Sequence, residues 1–300
     1  MNPTTTRRRF LASAGAALAG GSLIQPVAAI EPIQRPGAAK FKFSLAAYSY
    51  RNLLSGKNPS LTLADFIDDC AKMGLEGTEL TSYYFPANPT PDYLRELKRQ
   101  TFRLGLDISG TAVGNDFCHP SGAERDKQIA LVKQWVDRAE LLGAPVIRIF
   151  SGNTKKGMEE ADARRLAIEA IEECCQYAGQ HGVFLALENH GGLTAAIDGL
   201  LQLVQSVKSE WFGVNLDTGN FRSADPYADL ARLAPYAVNV QVKVSMHPAG
   251  GKKEPADFKR LAKIVRDAGY RGYIVLEYEE PEDPRQACPR YVEQIRQAFA

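Results

Sequence analysis

At 300 residues, 45% hydrophobic and 24% charged, the chain has ordinary globular composition, and it can bury a large core without disulfide or metal staples. A formal net charge of +1 gives no bulk attraction to nucleic acid or to an anionic membrane. No polar low-complexity tract appears, and no repeat beyond an alternation of strands and helices.

Thr6-Arg7-Arg8-Arg9-Phe10-Leu11 is a twin-arginine signature. A weakly apolar run over 12–24 follows, then a small-residue cleavage site at Val27-Ala28-Ala29. The run is too short for a membrane span. Residues 1–29 are therefore expected to be a twin-arginine signal peptide, 30–40 a linker and 41–300 one domain. The signal carries three of the 36 basic residues and no acidic one, so the mature chain has a net charge of −2. That route exports folded proteins, which points to the periplasm or an equivalent exported location.

From residue 41 short β-rich runs alternate with amphipathic helical runs. Strands are predicted at 43–48, 77–80, 106–112, 146–150, 183–188, 212–217, 238–244 and 273–277. Helices are predicted at 61–73, from Pro91, and at 124–142, 161–181, 194–207, 226–233, 255–268 and 285–299. Gly74 and Gly143 stop two of them, and Pro91 opens one where its missing N–H costs little. Eight units in about 260 residues predict a closed α/β architecture, a (β/α)8 TIM barrel. An open doubly wound sheet is disfavoured, because no G-x-G-x-x-G follows the first strand.

Cys70, Cys118, Cys174, Cys175 and Cys288 form no C-x-x-C pair, so a zinc site is not expected and packed thiols are. Barrel chemistry sits at the C-terminal ends of the strands. There the sequence places Glu79, Arg148, Glu188, Asp217, Gln241, Lys243 and Glu277, with Asn189 and His190 directly after Glu188. A single strand-ending carboxylate is as well explained by a helix cap or an ion pair. Three on strands five, six and eight repel one another unless a positive charge lies between them. A divalent cation held by Glu188, Asp217, Gln241 and Glu277 answers that need. Lys243 and Arg148 can hold substrate oxygens or pair with the acids. His119 follows strand three on the same face, whereas His181 ends a helix and reads as structural. The Gly- and Lys-rich loop 246–254, with His247, reads as a candidate lid.

Leu187-Glu188-Asn189-His190-Gly191-Gly192, Asn215-Leu216-Asp217-Thr218-Gly219-Asn220, Val240-Gln241-Val242-Lys243 and Val275-Leu276-Glu277 resemble the sugar phosphate isomerase/epimerase family, the xylose-isomerase-like barrels. The resemblance runs over residues 43–298. It implies a divalent metal held by Glu, Asp, His and Glu, here Glu188, Asp217, Gln241 and Glu277, and it makes the two glutamates the acid/base pair. Gln241 stands where that family has a histidine, and Asn220 where a histidine often follows the aspartate. An all-oxygen ligand set favours Mn2+ or Mg2+ over Zn2+.

The activity implied is a metal-dependent isomerase or epimerase acting on a sugar or sugar derivative. It removes a proton next to a carbonyl to form an enediolate. Substrate contacts are expected from His190, Lys243, Arg148, Asn220, His119 and Glu79. No Gly-rich phosphate cradle is visible, which favours an unphosphorylated carbohydrate. A keto-glycoside lyase or hydratase uses the same parts, and a non-catalytic sugar-binding barrel is the second alternative. A hydrolase pairing Glu188 with Glu277 is a further class. A nuclease is disfavoured by four histidines and a mature charge of −2.

Overall fold

The computed structural model describes residues 29–300. The twin-arginine signature, the apolar run and most of the cleavage site lie outside the described residues. Among the described residues, eight parallel strands close into a barrel. They are β1 (Lys40–Ala46), β2 (Gly77–Thr81), β3 (Asp107–Ala112), β4 (Val146–Ile149), β5 (Phe184–Glu188), β6 (Phe212–Asp217), β7 (Ala237–Val242) and, after a two-residue pair, β10 (Arg271–Leu276). Around the barrel the order is β1-β10-β7-β6-β5-β4-β3-β2. The pair is β8 (Ser245–Met246) with β9 (Glu254–Pro255), antiparallel, and it ties together the base of the loop read as a lid.

Helices follow the strands: α1 (Arg51–Leu54), α2 (Leu63–Lys72), α3 (Pro91–Arg103), α4 (Ala123–Leu142), α5 (Glu160–Gln180), α6 (Ile197–Val204), α7 (Pro226–Leu233), α8 (Phe258–Asp267) and α9 (Pro284–Phe299). Local chemistry fixes their ends. Thr62 and Asp65 form a reciprocal capping box before α2. Pro91, Pro226 and Pro284 occupy first-turn positions that need no N–H donor. Gly143 ends α4 with φ 79°, a left-handed conformation that glycine adopts without strain. No helix among the described residues is long and apolar enough to cross a membrane.

The predicted TIM barrel is the observed fold, and most predicted elements lie within two or three residues of their places. Three differences stand out. β1 begins at Lys40, earlier than predicted, and one-turn segments follow it. The helix predicted over 194–207 is a short 3-10 turn and the eight-residue α6, because Ala196 adopts an extended conformation between them. β7 ends at Val242, so Lys243 lies just beyond the strand.

Residues 30–39 have no regular secondary structure, yet they are tied to the N-terminal end of the barrel. Ile30 N–H donates to Val207 O, Ile33 N–H to Pro235 O, and the Arg35 guanidinium to Ala237 O. All five cysteines are buried as thiols.

Candidate active site at the barrel mouth

The barrel interior is polar as well as apolar. Below the mouth, four side chains from three strands close a ring of hydrogen bonds. Asn239 donates to Glu79 Oε2 at 3.0 Å and to Asn215 Oδ1 at 2.8 Å. Asn215 donates to Gln241 Oε1 at 2.6 Å, and Gln241 donates to Glu79 Oε1 at 2.7 Å. Burial pushes Glu79 up to about 7, with Glu277 adding to the rise and the Asn239 and Gln241 bonds opposing it.

Both carboxylate oxygens of Glu79 and both amide atoms of Gln241 are thus engaged inside the barrel. This corrects two expectations. Glu79 is an interior residue, not a substrate contact, and Gln241 does not face the mouth as a ligand. Gln241→Ala is expected to leave Glu79 Oε1 and the Asn215 NH2 without those partners, costing roughly 3 kcal/mol of stability. Urea denaturation measures it; a loss near zero would show that the ring contributes nothing.

Above this ring the strand ends converge. Glu188 closes β5, Asp217 closes β6 and Glu277 follows β10. Register sets Glu188 beside Asn215 and Asp217 beside Gln241. Two fixed cations stand among the acids. Arg148 Nε lies 2.8 Å from Glu188 Oε2, an ion pair out of line for a hydrogen bond. The same guanidinium donates to Val113 O at 2.8 Å and lies 4.0 Å above the Phe150 ring. Lys243 Nζ lies 2.7 Å from Glu277 Oε2, 3.1 Å from Glu279 Oε1 and 3.4 Å from Asp217 Oδ2. Asn220 donates to Glu188 Oε1 at 2.9 Å.

Gly219 is required where it stands. A Cβ there would come within 2.5 Å of Lys243 Cγ and 3.1 Å of Ser245 O, so only glycine lets the lysine stem lie against the β6 loop.

The electrostatics follow from burial and these pairs. Burial raises Glu188 to about 7, Arg148 pulls it down and Glu277 pushes it up. Asp217 is driven well above the carboxylate range by burial, with Lys243 opposing and Glu188 and Glu277 reinforcing the rise. Burial also pushes Glu277 up, but Lys243, Arg148 and a hydrogen bond from the Asp217 carboxyl outweigh it and hold Glu277 below its ordinary value.

A cavity of about 200 Å³ opens over this cluster, lined by Glu188, Glu277, Lys243, Arg148, Asn220 and His190, with Tyr48, Tyr83, Phe150 and Glu279 around them. It is smaller than a drug-sized pocket and suits a single sugar ring. His190 packs on Phe150, ring centroids 4.6 Å apart. Tyr48 and Tyr83 meet edge to face at 6.4 Å.

His119, expected here, is not among the lining residues, and His247 lines a smaller neighbouring cavity with Arg222 and Glu280. His181, read as structural, pairs with Glu140 at 2.8 Å away from the mouth. Tyr48, Tyr83, Phe150 and Glu279 were not identified from sequence. Their signal is position, since each follows a strand's C-terminal end by one to three residues. A larger cavity, about 720 Å³, lies at the opposite end among strand starts such as Val146, Phe184 and Val238. It gathers no comparable set of acids, so the smaller cavity is the candidate site.

The residues present do not fit a divalent metal. Gln241 is committed to the interior ring, Glu188 to Arg148, and the space among Asp217, Glu277 and Glu279 to the Lys243 ammonium. Among the described residues no group of three or more His, Cys, Asp and Glu is arranged to hold one.

The family model for the xylose isomerase-like TIM barrel matches residues 67–297. The chain belongs to that family. It is 24% identical over 213 residues to a 3-dehydroshikimate dehydratase from Bacillus anthracis, covering 67% of this chain and 71% of that protein. In fold it is similar to D-psicose 3-epimerase from Clostridium cellulolyticum H10, with a TM-score of 0.71, 15% identity, and coverage of 86% of this chain and 99% of that one. It is also similar to 3-keto-D-glucoside 4-epimerase from E. coli, with a TM-score of 0.67, 15% identity and the same coverage. At these identities the structural likenesses establish the fold.

Proposed function

We propose that this barrel removes a proton next to a carbonyl of an uncharged keto-sugar or a related cyclic hydroxy-ketone, as an epimerase or isomerase. The observation that carries this reading is a pair of buried glutamates lining one sugar-sized cavity, one of them, Glu188, raised to about 7. A general base is most effective with its pKa near the working pH. β5 and β10 are separated by two strands on the shorter path around an eight-stranded barrel, so Glu188 and Glu277 approach a bound ring from different sides.

Glu188 takes the proton, the C–H electron pair becomes the new C=C bond, and the carbonyl oxygen takes the negative charge. Return of a proton at the same carbon from the other side gives the epimer, and at the neighbouring carbon the isomer. For epimerisation Glu277 takes a proton from solvent and returns it to the carbon, and Glu188 gives its own proton up to solvent to close the cycle. Loss of a β-leaving group from the same enolate is elimination, the second reading. It is favoured by the sequence relationship to a 3-dehydroshikimate dehydratase.

Three features support a neutral substrate. Arg148 and Lys243 are balanced by Glu188, Glu277 and Glu279, leaving no excess positive charge for phosphate. Aromatic rings line the cavity wall, as suits the apolar faces of a sugar ring. Export by the twin-arginine route is part of this proposal and agrees with an unphosphorylated substrate.

The test is incubation with 3-keto-glycosides, ketohexoses and dehydroshikimate in D2O, followed by NMR. Deuterium appearing next to a carbonyl supports the reading, and the product separates epimer, isomer and alkene. No exchange and no product with any of the three classes would sink it. The pH profile gives a second check. Glu188 acts ionised, so kcat/KM is expected to rise through about pH 7. A flat profile across that region would remove Glu188 as the base.

A further inference from the structure

We propose that in this chain the Lys243 ammonium takes the place that a divalent metal holds in the ligand set implied by the resemblance, and that the barrel works without a resident metal. Three independent observations converge on it. First, Lys243 Nζ lies within 3.4 Å of oxygens from Asp217, Glu277 and Glu279, so a cation already stands between Asp217 and Glu277, two members of that ligand set. Second, the strand-seven position of that set is Gln241, and its side chain is bonded on both sides within the barrel by Glu79 and Asn215. Third, Gly219 leaves the room that brings the lysine stem onto the β6 loop, so the ammonium is placed by close backbone packing.

A second charge of +2 in the same space would meet the ammonium at close range in a buried site, where like charges repel strongly. A fixed ammonium supplies the one property that proton abstraction next to a carbonyl needs from a cation, a positive charge facing the oxygen that becomes negative. It gives up its contact to Glu279, the most exposed of its three partners, more readily than those to the buried Asp217 and Glu277. That leaves a donor for the substrate oxygen. Arg148 fills the corresponding place beside Glu188.

The catalytic half of this inference rests on the proton-abstraction reading; the metal half does not, and the experiment separates them. Full-length protein is purified without added metal, its metal content measured, and Mn2+ binding followed by electron paramagnetic resonance and calorimetry. Lys243→Ala and Lys243→Arg are run beside it. The wild type is expected to hold no stoichiometric metal and to bind Mn2+ weakly. Lys243→Ala is expected to bind Mn2+ about tenfold or more tightly than wild type, because one unit charge leaves a low-dielectric carboxylate cluster. Lys243→Arg keeps the charge and is expected to stay as weak as wild type.

About one metal ion per wild-type chain, or equal Mn2+ affinity in wild type and a folded Lys243→Ala, would overturn the substitution, whatever the substrate. Should Lys243→Ala fail to fold, wild-type metal content and affinity decide alone. Where an active substrate is in hand, EDTA is expected to leave the exchange rate unchanged. Loss of rate restored by Mn2+, or a borohydride-trapped adduct on Lys243, would overturn the electrostatic role.

Discussion

Glu188→Gln is expected to slow solvent exchange next to the substrate carbonyl by about 10²- to 10⁴-fold, the usual worth of a positioned general base. The amide has the size of the carboxyl, so the barrel keeps its shape, and its oxygen still accepts from Asn220. What is lost is the basic oxygen facing the cavity. The new NH2 faces Arg148 Nε, donor against donor, where the wild type has an ion pair at 2.8 Å. A modest fall in thermal stability therefore accompanies the loss of rate. Circular dichroism confirms the fold, and NMR wash-in of deuterium measures the rate. Exchange at the wild-type rate in a folded Glu188→Gln variant would transfer the role of base to Glu277 or remove proton abstraction altogether.

The barrel and the acids at its mouth were legible because both are written in periodic, strand-ending positions. Apolar runs such as Val183 to Leu187 followed by Glu188 announce a buried strand and the polar group that crowns it. What that pattern does not encode is partner choice within the barrel. Gln241 and Lys243 are two residues apart and point the same way along the chain, yet one closes a hydrogen-bond ring beneath the mouth and the other joins the acids above it. The height of a residue in the barrel depends on stagger between neighbouring strands, including the irregularity between Val214 and Asn215, and a single sequence does not display that. Glu79 illustrates the same point. It ends no strand, since Leu80 and Thr81 continue β2, so it falls one layer below the cavity. The aromatic wall depends on loops, and Tyr48 and Tyr83 reach the same cavity from segments 35 residues apart.

Arg148→Met is expected to destabilise the protein by about 3–5 kcal/mol at alkaline pH, the cost of leaving one partner of a buried ion pair behind. Arg148 is 5% exposed, and loss of its guanidinium leaves the Glu188 carboxylate with Asn220 as its hydrogen-bond partner. Methionine retains much of the packing against Phe150, so charge accounts for most of the effect.

The dependence on pH identifies the charge as the cause. Arg148 lowers the Glu188 pKa, so its removal raises that pKa beyond the wild-type value of about 7. Between the unfolded carboxyl pKa and this raised folded one, the native state holds a proton that the unfolded state has released. Stability therefore falls as pH rises through that window and levels off above it. In acid, where Glu188 is protonated in the variant, most of the penalty disappears. Adding Glu188→Gln to Arg148→Met removes the stranded charge and is expected to recover much of the alkaline loss. Urea denaturation of wild type, single and double variants on either side of pH 7 reads this directly. An equal loss at acid and alkaline pH would assign the effect to the guanidinium's contacts with Val113 and Phe150 instead. Glu188 would then be a carboxylate whose ionisation the fold does not control, and its standing as the base tuned by Arg148 would fall with it.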